Sequence, residues 1–200
     1  MLNRVLIVIG IIALLVFAGC GKAPETELQS AKTALAAAES AGAAEYAPDL
    51  YQQAMDSLNA AEQVIAEQNS KFFVLRSYGK AAEMLKSAEA LAQTAATEAQ
   101  AEKDRVRQEV EAMFATAQVV ADSAAAALAK APRGKGTAVD IKVMNVDLDA
   151  VKAGIAEARA EYDAGQYKSA QAKLEAAIQK GRKIISDIKA AWAKSTGISR

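Results

Sequence analysis

Alanine supplies 49 of the 200 residues, and no other feature of this chain restricts its fold so strongly. Alanine has the highest intrinsic helix propensity. The β-branched and aromatic residues that favour strands are sparse and scattered. Helix breakers are also rare, with 11 glycines and 3 prolines. The expected fold class is therefore all-α. Alanine offers little apolar area per residue, so its helices must approach closely along extended seams. An elongated antiparallel helical bundle satisfies that demand. The 24 basic and 24 acidic residues balance, so net charge gives no case for nucleic acid or an anionic membrane surface.

Breakers divide the chain into five expected helices. The first starts near Pro24 and fades at Gly42, and the second opens at Pro48, which lacks an amide hydrogen and suits a first turn. It ends near Asn69 and Ser70, with Ser70 able to cap the next helix. The third is expected to begin with Phe72, Phe73, Val74 and Leu75 and to be long, because only Gly79 interrupts it before Pro132. Sixty helical residues would span on the order of 90 Å. Its stripe reads Ala88, Ala92, Ala95, Ala99, Val106, Val110, Met113, Ala117, Val120, Ala124 and Leu128. Residues 132–137 form the clearest linker, with Pro132, Gly134 and Gly136 close together. The fourth helix stops at Gly165, and the fifth runs from Tyr167 to about Lys194. The expected arrangement is two three-helix bundles sharing the long central helix, over residues 20–100 and 101–200.

One pattern recurs three times. Tyr51, Ala54, Leu58 and Ala61 reappear as Tyr78, Ala81, Leu85 and Ala88, then as Tyr167, Ala170, Leu174 and Ala177. Positions 0, 3, 7 and 10 share one helix face, so large and small side chains alternate on it. Core packing of helical hairpins is the expectation; a ligand-binding tyrosine stripe is the lesser alternative. The third copy, opened by Gly165 and Gln166, resembles the second helix of a tetratricopeptide hairpin over about 30 residues. The copies stand 27 and 89 residues apart, unlike the spacing of about 34 in a tandem array.

Residues 1–19 have the parts of a secretory signal: Arg4, an apolar run over residues 5–17, and small Ala18 and Gly19. The run is short for a span, which needs about 20 residues. Cys20, the single cysteine, follows directly. That pattern resembles a bacterial lipoprotein signal, cleaved after Gly19 and acylated on Cys20. Gly21 rather than aspartate then implies the periplasmic side of the outer membrane, with the inner membrane the lesser alternative. Residues 38–62, including Tyr46, Pro48, Tyr51, Ala54, Leu58 and Ala61, are similar to an alanine-rich bacterial lipoprotein domain of unknown function. The similarity covers roughly residues 24–95. Members of that family sometimes precede an OmpA-like peptidoglycan-binding domain, which the helical remainder here does not resemble. The resemblance implies an envelope role and no known active site.

The sequence holds no histidine, which removes serine–histidine and cysteine–histidine catalysis and the usual zinc ligand sets. Asp140, Asp147 and Asp149 lack the glycine turn and closing glutamate of a calcium loop, and fit helix caps and first turns better. The charged run at residues 98–111 fits a solvated helix face. Trp192, near Ile184, Ile185 and Ile188, is expected in the core at a bundle end, with a surface contact the lesser alternative. No cofactor, metal or catalytic residue is expected. The expected function is a lipid-anchored, non-catalytic periplasmic scaffold or spacer with an envelope protein partner, with self-association open. The alternative is a tetratricopeptide-like adaptor or chaperone that binds peptides or envelope proteins.

Overall fold

The computed structural model describes residues 22–132 and 138–195. Helix α1 spans Glu25–Ser40, the single-turn α2 Ala43–Tyr46, and α3 Pro48–Asn69. A 3₁₀ turn at Phe73–Leu75 precedes α4, Gly79–Ala129. Helices α5, Ala138–Asp163, and α6, Tyr167–Ser195, complete the chain. No strand occurs among the described residues, and the protein is an all-α helical bundle. By length and composition α4 is also apolar enough to cross a membrane. Its buried alanines, among them Ala88, Ala92 and Ala95, line the seams between helices. The chain divides into two compact units, Met1–Glu102 and Lys103–Arg200, and the division falls inside α4.

In the first unit α1, α3 and the start of α4 share one core. Ala31, Leu58, Ala61, Leu85 and Ala88 form its buried centre, with Leu28, Leu35, Ile65 and Met84 packed against it. Pro48 occupies the first turn of α3, where its missing amide hydrogen costs nothing. At the α1–α2 junction Gly42 takes φ +84°, a left-handed conformation that other L-residues avoid. Gly42 N–H then bonds Glu39 O at 2.9 Å and ends α1. A Lys32–Glu62 ion pair at 2.8 Å bridges α1 and α3 on the surface.

In the second unit the end of α4 packs with α5 and α6. Ala121, Ala124, Leu128, Leu148, Val151, Ala177, Ile184 and Ile188 are its buried centre. Gly165 ends the α5–α6 hairpin with φ +78°, and its N–H bonds Tyr162 O at 2.9 Å. Next to the hairpin, Phe114 meets Tyr162 edge-on at 5.7 Å. The Arg159 guanidinium lies 3.7 Å above the Phe114 ring centre.

Three sequence expectations need correction. Phe72, Phe73, Val74 and Leu75 do not begin the long helix; they form an exposed turn, and α4 starts at Gly79. Ser70 does not cap that helix either. It closes α3, its hydroxyl donating to Glu67 O at 2.8 Å. On α4 the buried positions are Phe114 and Ala121, not Met113 and Val120. Ala117, Ala124 and Leu128 are buried as expected, so the seam keeps its course; from Val110 it steps by four and then three where the expected stripe stepped by three and then four, which leaves Met113 and Val120 half-buried at its edge.

Candidate functional site

The tripled pattern lies on the core seams. Ala54, Leu58, Ala61, Ala81, Leu85, Ala88, Ala170, Leu174 and Ala177 are all buried. Tyr78 is buried too, whereas Tyr51 and Tyr167 are half-buried. Burial, and then the charge of Glu39, push the Tyr51 phenol above its ordinary value. Tyr167 stacks at a tilt on Tyr162, 5.2 Å between centroids. Each tyrosine has its own neighbours: Tyr51 the charge of Glu39, Tyr78 the Asn69 side chain, and Tyr167 the Tyr162 ring.

Gly19, Cys20 and the 1–19 signal lie outside the described residues, as do residues 133–137 of the linker. Among the described residues no three His, Cys, Asp or Glu side chains gather closely enough to hold a metal ion. The carboxylates instead meet lysines and arginines on helix surfaces. Asp147 pairs with Lys180 at 3.2 Å. Lys173 reaches Glu157 at 2.7 Å and Glu161 at 3.3 Å, tying α6 to α5. Hydrogen bonds to Glu157 and then Glu161 raise the Lys173 ammonium above its ordinary value. A hydrogen bond from Ser169, and then Lys173, hold Glu161 below its own. In the charged run on α4, Arg105 pairs with Glu109, and Arg107 lies 3.6 Å from Asp104. Trp192 is 44% exposed and so is not the core residue expected there; it lies past Ile188, the last buried residue described on α6.

The feature that sequence periodicity missed is the loop between α3 and α4. Phe72, Phe73, Val74 and Leu75 are each 65–69% exposed, side by side at its tip. Phe72 and Phe73 face each other at 4.8 Å between ring centroids. Hydrogen bonds across its base fix the loop. Arg76 donates from Nε to Lys71 O and from Nη2 to Asn69 O, both at 3.0 Å. Ser77 N–H donates to Gln68 Oε1 at 3.0 Å, and the Tyr78 hydroxyl donates to Asn69 Oδ1. The available signal was negative: four adjacent large apolar residues carry no helical period, and Ser70 and Gly79 bound them.

Lys22, Ala23, Pro24 and Glu27 share a small pocket with Tyr78, Gly79 and Ala82. The described chain thus begins at the same end of the first unit as this loop. A larger open groove of about 840 Å³ runs between α1 and α4, lined by Thr26, Gln29, Thr33, Glu89, Gln93 and Thr97 among others. Its walls are amides, hydroxyls, alanine methyls and two carboxylates.

No curated protein and no solved structure matches the chain. Residues 26–109 match the model of a family described as a domain of unknown function (DUF4398). The chain is therefore similar to that family from α1 into the middle of α4.

Proposed function

We propose that this chain is a lipid-anchored, non-catalytic helical scaffold of a bacterial envelope, held at the periplasmic face of the outer membrane. The observation that carries the proposal is the apolar run ending in Cys20, with α1 beginning five residues later. Acyl chains on that thiol would hold the protein through about 0.8 kcal/mol per buried CH₂, and two or more chains suffice for stable anchoring. The helices beyond the anchor are packed by alanine seams, and several of their carboxylates, Asp147, Glu157 and Glu161 among them, are paired with lysines on helix surfaces.

A second reading draws on the groove between α1 and α4, whose amides and hydroxyls could receive a peptide backbone. It makes the protein an adaptor for peptides or envelope proteins. Expression of the full chain in a bacterial host tests both. Mass spectrometry of the N-terminal peptide should find Cys20 acylated, and Cys20→Ser should release the protein from the membrane fraction. Crosslinking in cells should then recover a few stable envelope partners. Many transient clients would favour the adaptor, and an unmodified thiol would refute the anchor.

A further inference from the structure

We propose that the tip formed by Phe72, Phe73, Val74 and Leu75 inserts into a phospholipid bilayer carrying anionic headgroups, beside the N-terminal anchor. Four neighbouring apolar side chains at 65–69% exposure form a contiguous patch of the kind that marks an interaction surface. They are not exposed for want of structure. Arg76, Ser77 and Tyr78 fasten both flanks of the loop to the end of α3, so the tip is presented in one arrangement.

The residues around the tip identify the phase it faces. Between Asn69 and Lys80 the sequence has Lys71, Arg76 and Lys80 and no carboxylate. Lys22 and Glu27 at the same end add one charge of each sign, so the excess stays with Lys71, Arg76 and Lys80. The whole chain is neutral, so this cluster is a local concentration that net charge conceals. Aromatic rings and aliphatic side chains flanked in sequence by lysine and arginine match the boundary between acyl chains and anionic headgroups. A protein partner would need neither the cations nor this position. Position points the same way, because Lys22, Ala23 and Pro24 line one pocket with Tyr78 and Gly79. Cys20 precedes Lys22 by two residues in the sequence, so the proposed anchor is tethered to this end of the first unit. The proposal rests on the Cys20 anchor for its membrane, though not for the chemistry of the tip.

The test uses the full chain with Cys20 intact. Phe73→Trp in a Trp192→Phe background places the indole at the tip. Ala44→Trp in the same background places it on an exposed position of α2, at the other end of the first unit's helices. Both proteins are reconstituted in phosphatidylethanolamine–phosphatidylglycerol vesicles whose acyl chains carry bromine. Emission from position 73 should shift to the blue and be lost to bromine, while emission from position 44 should be unchanged. Lys71→Gln with Lys80→Gln should lower the insertion equilibrium about fivefold per cation removed. Equal emission at position 73 with and without bromine, or equal quenching at both positions, would overturn the proposal. A blue shift without bromine quenching would overturn it too, and would assign the tip to a protein surface or a second copy. The mass of the N-terminal peptide is read in parallel. An unacylated Cys20 refutes the anchor, while the bromine result at position 73 still decides the tip.

Discussion

Val120 on α4 lies so close to Gly181 on α6 that a Cβ on residue 181 would sit 2.5 Å from Val120 Cγ1. Two effects oppose each other when Gly181 becomes alanine. The helix gains up to about 1 kcal/mol from the smaller backbone entropy loss. Against that, valine has one preferred rotamer in a helix, so Cγ1 cannot swing away freely and the helices must separate. Overpacking of this kind costs about 1–3 kcal/mol. The steric effect wins. Gly181→Ala should lower stability by about 1 kcal/mol, read as a lower urea midpoint with an unchanged slope. Adding Val120→Ala should recover most of the loss by emptying the contested space.

The aromatic group near the α5–α6 hairpin should divide its energy unequally. Phe114 is 8% exposed and touches both Tyr162 and Arg159. Phe114→Ala should cost about 3–5 kcal/mol through lost transfer energy and the cavity left behind. Arg159 is exposed, where a cation over an aromatic face contributes about 0.5–1 kcal/mol. Arg159→Met keeps the aliphatic cover and removes the charge, so it should cost no more than that. Urea unfolding of the two variants checks the ratio; equal losses would mean that the guanidinium, not the ring, holds the hairpin to α4.

Much of the fold was legible because alanine and the breakers act locally. Pro48, Gly42 and Gly165 ended or started helices where their backbone chemistry requires. The repeated offsets marked buried seams for the same reason: four residues on one face need no tertiary information. The loop at residues 70–78 was not legible. Phe72, Phe73, Val74 and Leu75 have strong apolar character, which suggested a buried helix start although Phe and Val are weak helix formers. Their exposure depends on Arg76 reaching back to Asn69 and Lys71, and on the Tyr78 and Asn69 side chains meeting. These contacts depend on the loop's tertiary path. The shift from Met113 to Phe114 is a different failure: steps of three and of four both stay near one helix face, and which comes first after Val110 is set by the neighbouring helices.

The Lys173 cluster predicts how stability depends on pH. Glu161 is held below its ordinary value of 4.5. Its contribution is therefore complete above that value and is lost as pH falls through the lower folded value. Lys173 is raised above 10.5. Its contribution is complete below 10.5 and is lost as pH rises through the higher folded value. The stability difference between the native chain and Lys173→Met should thus be flat across neutral pH. It should shrink on the acid side below 4.5 and on the alkaline side above 10.5. Urea midpoints of both proteins across that range provide the measurement, and a gap that widens in acid would contradict the assigned signs.

The alternation of large and small residues on the repeated face gives the sharpest test of how alanine packs this protein. Leu85 is fully buried among Ala31, Leu58, Ala61 and Ala88. Leu85→Ala removes a large side chain where three helices meet and should cost about 2–5 kcal/mol, depending on how far they close over the gap. Ala88, about one turn further along α4, is 2% exposed in the same cluster. There the opposite change is the damaging one. Ala88→Leu adds three carbons to a seam whose spacing is set by methyl groups, and should cost about 1–3 kcal/mol. Ala90 lies on the same helix but faces solvent, so Ala90→Leu should fall within about 0.5 kcal/mol of neutral. Alanine and leucine differ little in helix propensity, so the contrast between positions 88 and 90 isolates packing distance. If both leucine variants unfold at the native urea midpoint, close approach of the helices does not hold this bundle together.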